Sequence, residues 1–411
     1  MHERLAQGVV ALSMGMAASA AAQTQQASEQ QAVRQVEPFA TAEVVQVLKE
    51  FDNPEGAIFT QDGGHVFITN AAEIGDRGDT FGWTEGEGYI SKLEVQGDGT
   101  LTMVEEKLIE GLTGPLGMAV LPVATGTFPE GTIFVLSGSA PMVDPEGQVI
   151  KEPERLRTKV SGFNPESGEV LGEIDTGQGS LLEEINGSPI SLANAPGFDQ
   201  EGNLYIADTG FGADQFEPPF EAKGGLWMIP HGSLDALAAG ETPDDQPKFI
   251  AIPGNPDGVE VSPEDGMIYV NTVGPVGGAP DPANGGIYAL SKDDFTGAAA
   301  SEGKLPPPAD RDLGALDGLD FTAGGAMLNS QIKPDVDVAI YVNCPGESAM
   351  KLEIEGDEAE LSGPADLAVL RAEGGEQLVV VPELMNRSPN TGDNEVTVLR
   401  LPADFDEACS G

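Results

Sequence analysis

Histidine is almost missing from this chain, at 3 of 411 residues (His2, His65 and His231). A Ser-His-Asp hydrolase would have to draw on one imidazole in a strand-like phrase (GGHVFITN) or one in a turn (IPHGS). No G-x-S-x-G elbow accompanies either. Zinc held by histidines or by a Cys/His cluster is unsupported for the same reason. There is no Walker loop and no G-x-G-x-x-G opening a helix after a strand, which removes nucleotide chemistry. Cysteine is scarce too. Cys344 and Cys409 lack metal-ligand spacing, and in an exported chain they permit one disulfide. A buried free Cys344 with an idle Cys409 is the equal alternative.

Basic side chains are the next scarcity: 20 Lys and Arg face 68 Asp and Glu, a formal net charge of −48. Such a surface repels phosphate backbones and anionic headgroups, so neither nucleic acid nor a membrane surface is expected as a partner. Few cations are left to clamp a phosphate, which disfavours a calcium-dependent phosphatase. The acids are spread along the chain, and their self-repulsion calls for screening by salt or bound cations. A halophilic bacterial source is the expectation, and an ordinary acidic secreted protein is the alternative.

Apolar runs of membrane length are lacking as well. The one candidate is LAQGVVALSMGMAASA behind the basic Met1–Arg4 end, closing on Ala20-Ala21-Ala22. That pattern predicts a signal peptide over residues 1–22 and export to the periplasm or outside the cell. No cysteine stands at the cleavage site, so no lipid anchor is expected there. Residues 23–41 read as a disordered Gln-rich leader, 42–405 as the folded domain and 406–411 as a tail.

Helical periodicity is rare, with SLDALAAGE (233–241) the best short candidate. What is abundant is turn chemistry, with 54 Gly and 31 Pro. One phrase recurs six times: a Pro-x-Gly-like opening, an apolar strand, a Gly/Asp turn and a second apolar strand. It reads NPEGAIFTQDGGHVFITN (53–70), GPLGMAVLP…GTIFVLSG (114–138), LANAPGFDQEGNLYIADTG (192–210), NPDGVEVSPEDGMIYVNT (255–272), LDGLDFTAGGAMLNSQ (316–331) and GPADLAVLRAEGGEQLVVVPE (363–383). Further strand-like runs follow most copies. Four strands per repeat and six repeats predict an all-β, six-bladed propeller of four-stranded antiparallel blades around a central channel. AEVVQVLKEF (42–51) has no blade of its own and is expected to pair with the sixth, closing the ring. Insertions at 71–88, 139–158, 210–224 and 273–285 are expected to wall a binding face, with Trp83, Phe211, Phe216 and Phe220 as apolar contacts, and plain variation in surface loop length is the alternative. The Arg-Gly-Asp at 77–79 reads as a turn.

Alignment of the six copies places Glu55, Leu116, Asn194, Asp257, Asp317 and Ala365 at one position, hence around one axis. Asp, Asn and Gly are ordinary turn residues, but four oxygen-bearing side chains in one register point to a site. Converging carboxylates repel unless one keeps its proton or a cation joins them. A hard ion such as Ca²⁺ takes oxygen ligands of this kind.

With Pro-Glu-Gly, Asn, Pro-Asp-Gly and Leu-Asp-Gly in these places, the chain resembles the regucalcin (senescence marker protein)/gluconolactonase/luciferin-regenerating-enzyme family. The resemblance spans roughly residues 45–400 on short motifs. It implies a six-bladed propeller with an axial divalent cation, held by Glu55, Asp257 and Asp317. Asn194 would face the substrate and Asp317 would double as general base. Three departures stand out. Asp257 replaces the family's Asn, and Leu192-Ala193-Asn194-Ala195 lacks both the Arg before the Asn and the Asp-Gly after it. The insertions, 139–158 above all, exceed the compact pattern. The resemblance implies metal-assisted hydrolysis of a lactone or related ester, with a small-molecule substrate. The alternative is a non-catalytic binding module with a structural cation.

Overall fold

The computed structural model describes residues 36–72, 83–138, 142–143, 158–210, 223–274, 285–297, 300, 302–332, 338–371, 377–384 and 394–410. The predicted signal peptide, most of the leader, the Arg-Gly-Asp turn, Phe211, Phe216 and Phe220 lie outside them, as does most of 139–158.

The fold is all-β and propeller-like. Three four-stranded antiparallel sheets and one three-stranded sheet follow in chain order, beginning with the innermost strands Pro54–Phe59, Met118–Val120, Ala193–Phe198 and Pro256–Val261. Beyond a two-stranded parallel pair of Trp83–Thr84 with Met142–Val143, the rest is one eight-stranded sheet whose two edges are again innermost strands, Leu316–Phe321 and Ala368–Leu370. This differs from six separate four-stranded blades. The cause is the first strand, Pro38–Leu48. Its second half pairs antiparallel with Glu395–Arg400, as ring closure requires. Its first half runs parallel to Met350–Glu355, with Ala42 opposite Ile354, and so welds two four-stranded halves together. Residues 38–41, assigned above to the leader, therefore belong to the domain, because their backbone groups find partners on Met350–Glu355.

Six apolar clusters lie between successive sheets and halves. Phe67, Ile90, Ile133 and Phe163 join the first sheet to the second. Phe134, Phe198, Ile206 and Trp227 join the second to the third. Val259, Val270, Leu226 and Tyr205 join the third to the fourth. Leu319, Phe321, Tyr341 and Ile287 join the fourth to the first half of the large sheet. Leu328, Val342, Val379 and Leu399 fill the space between its halves. Ala57, Val66, Val380 and Val398 then return to the first sheet. Strands buried on both faces explain why the phrases read as near-continuous apolar runs and not as strict alternation.

The short helix Leu234–Ala238 falls where it is predicted. The helix Leu181–Asn186 is not predicted, although Ser180 caps it by accepting from the Glu183 amide. The predicted tail instead forms the helix Phe405–Cys409, and a Cys344–Cys409 disulfide with 5.2 Å between Cα atoms ties it to the large sheet. Trp83 is 2% exposed and packs on Ala71, Leu116 and Leu192. It is a core plug and not an apolar contact on a binding face.

Candidate functional site

The six aligned positions do meet around the axis, and backbone contacts trace the ring. The Gly117 amide donates to the Asn194 carbonyl at 2.9 Å, the Gly318 amide to the Ala365 carbonyl at 2.9 Å, and the Asp366 amide to the Glu55 carbonyl at 3.2 Å. A Cβ on Gly56 would stand 2.6 Å from the Leu116 carbonyl oxygen, and one on Gly258 2.4 Å from that of Asp317. Glycine after the acid is what lets neighbouring innermost strands approach this closely.

Local geometry aims the acids inward. Asn53 and Asn255 both adopt the left-handed region, at φ 59° and 58°, ahead of Pro54 and Pro256. Their side-chain amides are anchored on the Ala72 and Thr209 carbonyls. Each strand then shifts register across the functional pair, between Pro54 and Ala57, Ala193 and Pro196, Pro256 and Val259, and Leu316 and Leu319. A bulge of this kind re-aims one side chain and frees one amide from the ladder. The freed amides find side chains: Gly56 donates to Thr69 Oγ1 at 2.6 Å, Gly258 to Asn271 Oδ1 at 2.8 Å and Gly318 to Ser330 Oγ at 2.9 Å.

Glu55, Asp257 and Asp317 are all buried. Burial pushes the Glu55 carboxyl well above its ordinary range, and the charges of Asp317 and Asp366 push it further. Asp257 is raised by burial, then by Asp317 and Glu55, and it shares a hydrogen bond with Asp317. Burial lifts Asp317 to about 7, and that same hydrogen bond opposes the rise. Glu55 Oε2 and Asp257 Oδ1 are buried with no hydrogen-bond partner. Both amide atoms of Gln331, opposite Leu316 in the ladder, are equally without one.

Sequence comparison overlooked Asp366, one residue beyond the aligned Ala365. Burial lifts its carboxyl to about 8, with Asp317 adding to the rise, while Oδ2 accepts from the Ala57 amide at 3.1 Å. The acid in Pro-Ala-Asp was the available signal, displaced by one position from the acids of the first, fourth and fifth copies. Asp208 is a further overlooked acid, buried and lifted to about 8 by that burial against backbone donors including Gly210. Asn194 is brought to the ring with its amide 3.4 Å from Thr209 Oγ1.

These features fit an oxygen-liganded cation in chemistry: buried acids in mutual repulsion and two carboxylate oxygens left unbonded. Among the described residues, no three His, Cys, Asp or Glu side chains are already gathered into a metal-holding group. With Asp257 and Asp317 both raised and hydrogen-bonded to each other, a proton kept on one of them is what a cation would displace. No described lysine or arginine pairs with any of the four acids.

The other mouth of the channel holds a cavity of about 940 Å³, lined by the turns at Thr60–Gly63, Asp199–Glu201 and Pro263–Gly266, with Glu260, Lys292 and Arg371. Its cations are engaged, Lys292 with Asp199 and Glu201 and Arg371 with Asp320. His65 and His231 stand away from the ring, His231 Nε2 lying 3.2 Å from the Val123 carbonyl. Among the described residues no helix is long and apolar enough to cross a membrane.

No protein-family model and no curated protein sequence matches the chain. Solved structures do. A gluconolactonase from Xanthomonas campestris superposes with a TM-score of 0.51 at 12% identity, covering 90% of this chain and 98% of that one. A luciferin-regenerating enzyme gives 0.48 at 11% identity, over 87% and 95%. A glucose dehydrogenase gives 0.49 at 13%, over 86% and 98%. The chain is thus similar in fold to the gluconolactonase over nearly the whole length of both.

Proposed function

We propose that this protein is an exported, calcium-dependent hydrolase of a lactone or related ester, built as a six-bladed propeller in which the two halves of the eight-stranded sheet serve as blades five and six. The observation that carries the reading is the convergence of Glu55, Asp257 and Asp317 from three sheets onto one axis, buried and with two oxygens unbonded. The likeness in fold to a gluconolactonase supports the substrate class.

Glu55, Asp257 and Asp317 would hold the ion, which when bound supplies polarisation of the substrate carbonyl. The chain's own part is proton handling and orientation. Asp317, a buried carboxyl on the axis, is the general base. It takes a proton from the attacking water as the new C–O bond forms. The proton then passes to the departing alkoxide oxygen as the ester bond breaks, giving a carboxylic acid and an alcohol. Asn194 offers an amide to the substrate, and Leu116 and Ala365 leave the rest of the ring apolar. Leu192 is buried against Trp83 in the place where a sugar-acid-binding Arg would stand. That favours a less polar substrate, and it is the observation behind the second reading, a binding module with a structural cation.

Calorimetry with Ca²⁺ on the metal-stripped mature protein, beside the Glu55→Gln/Asp317→Asn double variant, tests the site. One-to-one binding lost in the variant supports it, and binding that persists in the variant rejects it. A lactone and ester screen then separates the two readings. The signal peptide and the salt requirement implied by a net charge of −48 are checked by the N-terminal sequence of the exported protein and by melting in graded NaCl.

A further inference from the structure

We propose that Asn271 is a positioning residue of the axial site, setting the separation of Asp257 and Asp317 across two neighbouring sheets. The inference rests on the proposed cation site for its main readout, but its geometry is independent of it.

Asn271 lies on the second strand of the fourth sheet and is fully buried. Its Oδ1 accepts from the Gly258 amide at 2.8 Å, the group that the Asp257 bulge frees from the ladder. Its Nδ2 donates to the Gly318 carbonyl at 3.1 Å, on the adjoining sheet and one residue past Asp317. The second Nδ2 hydrogen goes to Asn329 Oδ1 at 3.3 Å. Donor and acceptor demands differ at the two glycines, so the amide has one orientation that satisfies both. One side chain thus grips the residue after each acid, and the bare Cα of Gly258 lets the two strands close around it.

Thr69 shows what is special here. It takes the matching amide of Gly56, but its hydroxyl reaches back only to Gly56 within its own sheet. Ser330 makes a comparable tie one step on, between the two halves of the eight-stranded sheet, accepting from Gly318 and donating to the Ala365 carbonyl. Asn271 and Ser330 thus tie together the segments bearing Asp257, Asp317 and Asp366, where repulsion would otherwise push them apart. Beyond Asn271 the chain of amides continues through Asn329 to Asn343 and Asp310. Those links touch neither glycine of the site, which makes Asn329 the natural control.

Ca²⁺ titration calorimetry and metal-free thermal melts on the full chain, N271S and N329S test the proposal. N271S should weaken Ca²⁺ binding at least tenfold. N329S should lose a similar amount of metal-free thermal stability and bind Ca²⁺ within twofold of the parent. Parent-like affinity in N271S, or equal weakening in N329S, overturns it. If N271S does not fold, Asn271→Thr carries the same comparison, keeping a hydroxyl beside Gly258 as Thr69 does beside Gly56. If the parent chain binds no Ca²⁺, the proposed function fails, and metal-free crystal structures decide the positioning claim. The Asp257–Asp317 Cα separation should change in N271S and not in N329S, and an unchanged separation in both overturns it.

Discussion

The axial ring has two unlike arcs. From Asp257 through Asp317 and the half-buried Asp366 to Glu55, four carboxyls crowd together, and the side chains of Asn271, between two sheets, and Ser330, between the halves of the large sheet, hold the segments. On the other arc stand Leu116 and Asn194, where the Gly117 amide meets the Asn194 carbonyl directly and Leu116 packs with Ala71, Trp83 and Leu192. Backbone bonds and apolar packing suffice where nothing repels. Where charge is concentrated, a second tier of polar side chains is needed, since each bulge that aims an acid also leaves an amide to be satisfied.

Breaking the acidic arc at its centre should have the largest effect. Asp317→Ala should reduce hydrolysis by about 10³-fold, the scale of a lost general base, with the far-ultraviolet circular dichroism unchanged. Full activity in a folded variant would remove Asp317 from the mechanism. The next test uses acidity. The folded state holds protons on Asp317 to about 7 and on Asp366 and Asp208 to about 8, well above the range of the unfolded chain. That stabilisation is complete below about pH 4 and is lost as pH rises through 7 and 8. The metal-free protein should therefore melt on the order of 10 °C lower at pH 8 than at pH 5. Added Ca²⁺ should narrow the gap, because the ion binds the deprotonated acids. Scanning calorimetry at constant ionic strength measures both.

A finer test is Asp366→Asn, which keeps an oxygen for the Ala57 amide and removes one charge. It should raise metal-free stability at pH 8 and weaken Ca²⁺ binding by about tenfold, near 1.4 kcal/mol. The smallest effect at the site is expected from the opposite arc. Leu116→Ala should lower stability by about 3 kcal/mol through the cavity it opens, yet leave Ca²⁺ affinity within twofold. Denaturant melts and calorimetry read the two separately.

Much of this was legible in the chain. The recurring phrase located every innermost strand, because a strand buried on both faces must be apolar and a tight turn must carry Gly, Pro or Asp. The same register brought Glu55, Asp257 and Asp317 together before any coordinates. Asp366 escaped because a register comparison assumes one side-chain direction per position, and the sixth copy places its acid one residue later. Asn271 and Ser330 escaped because they look like ordinary strand residues until a bulge frees the amides they serve.

The sequence by itself determined the strand content, the order of the repeats, the scarcity of imidazole and the convergence of acids, all of which follow from local periodicity and residue chemistry. The tertiary structure alone decided that Pro38–Leu48 welds two halves into one sheet, that Cys344 meets Cys409, and that Asp257 and Asp317 share a hydrogen bond. Those outcomes depend on distances between segments far apart in the chain, which ring closure sets and no local pattern encodes.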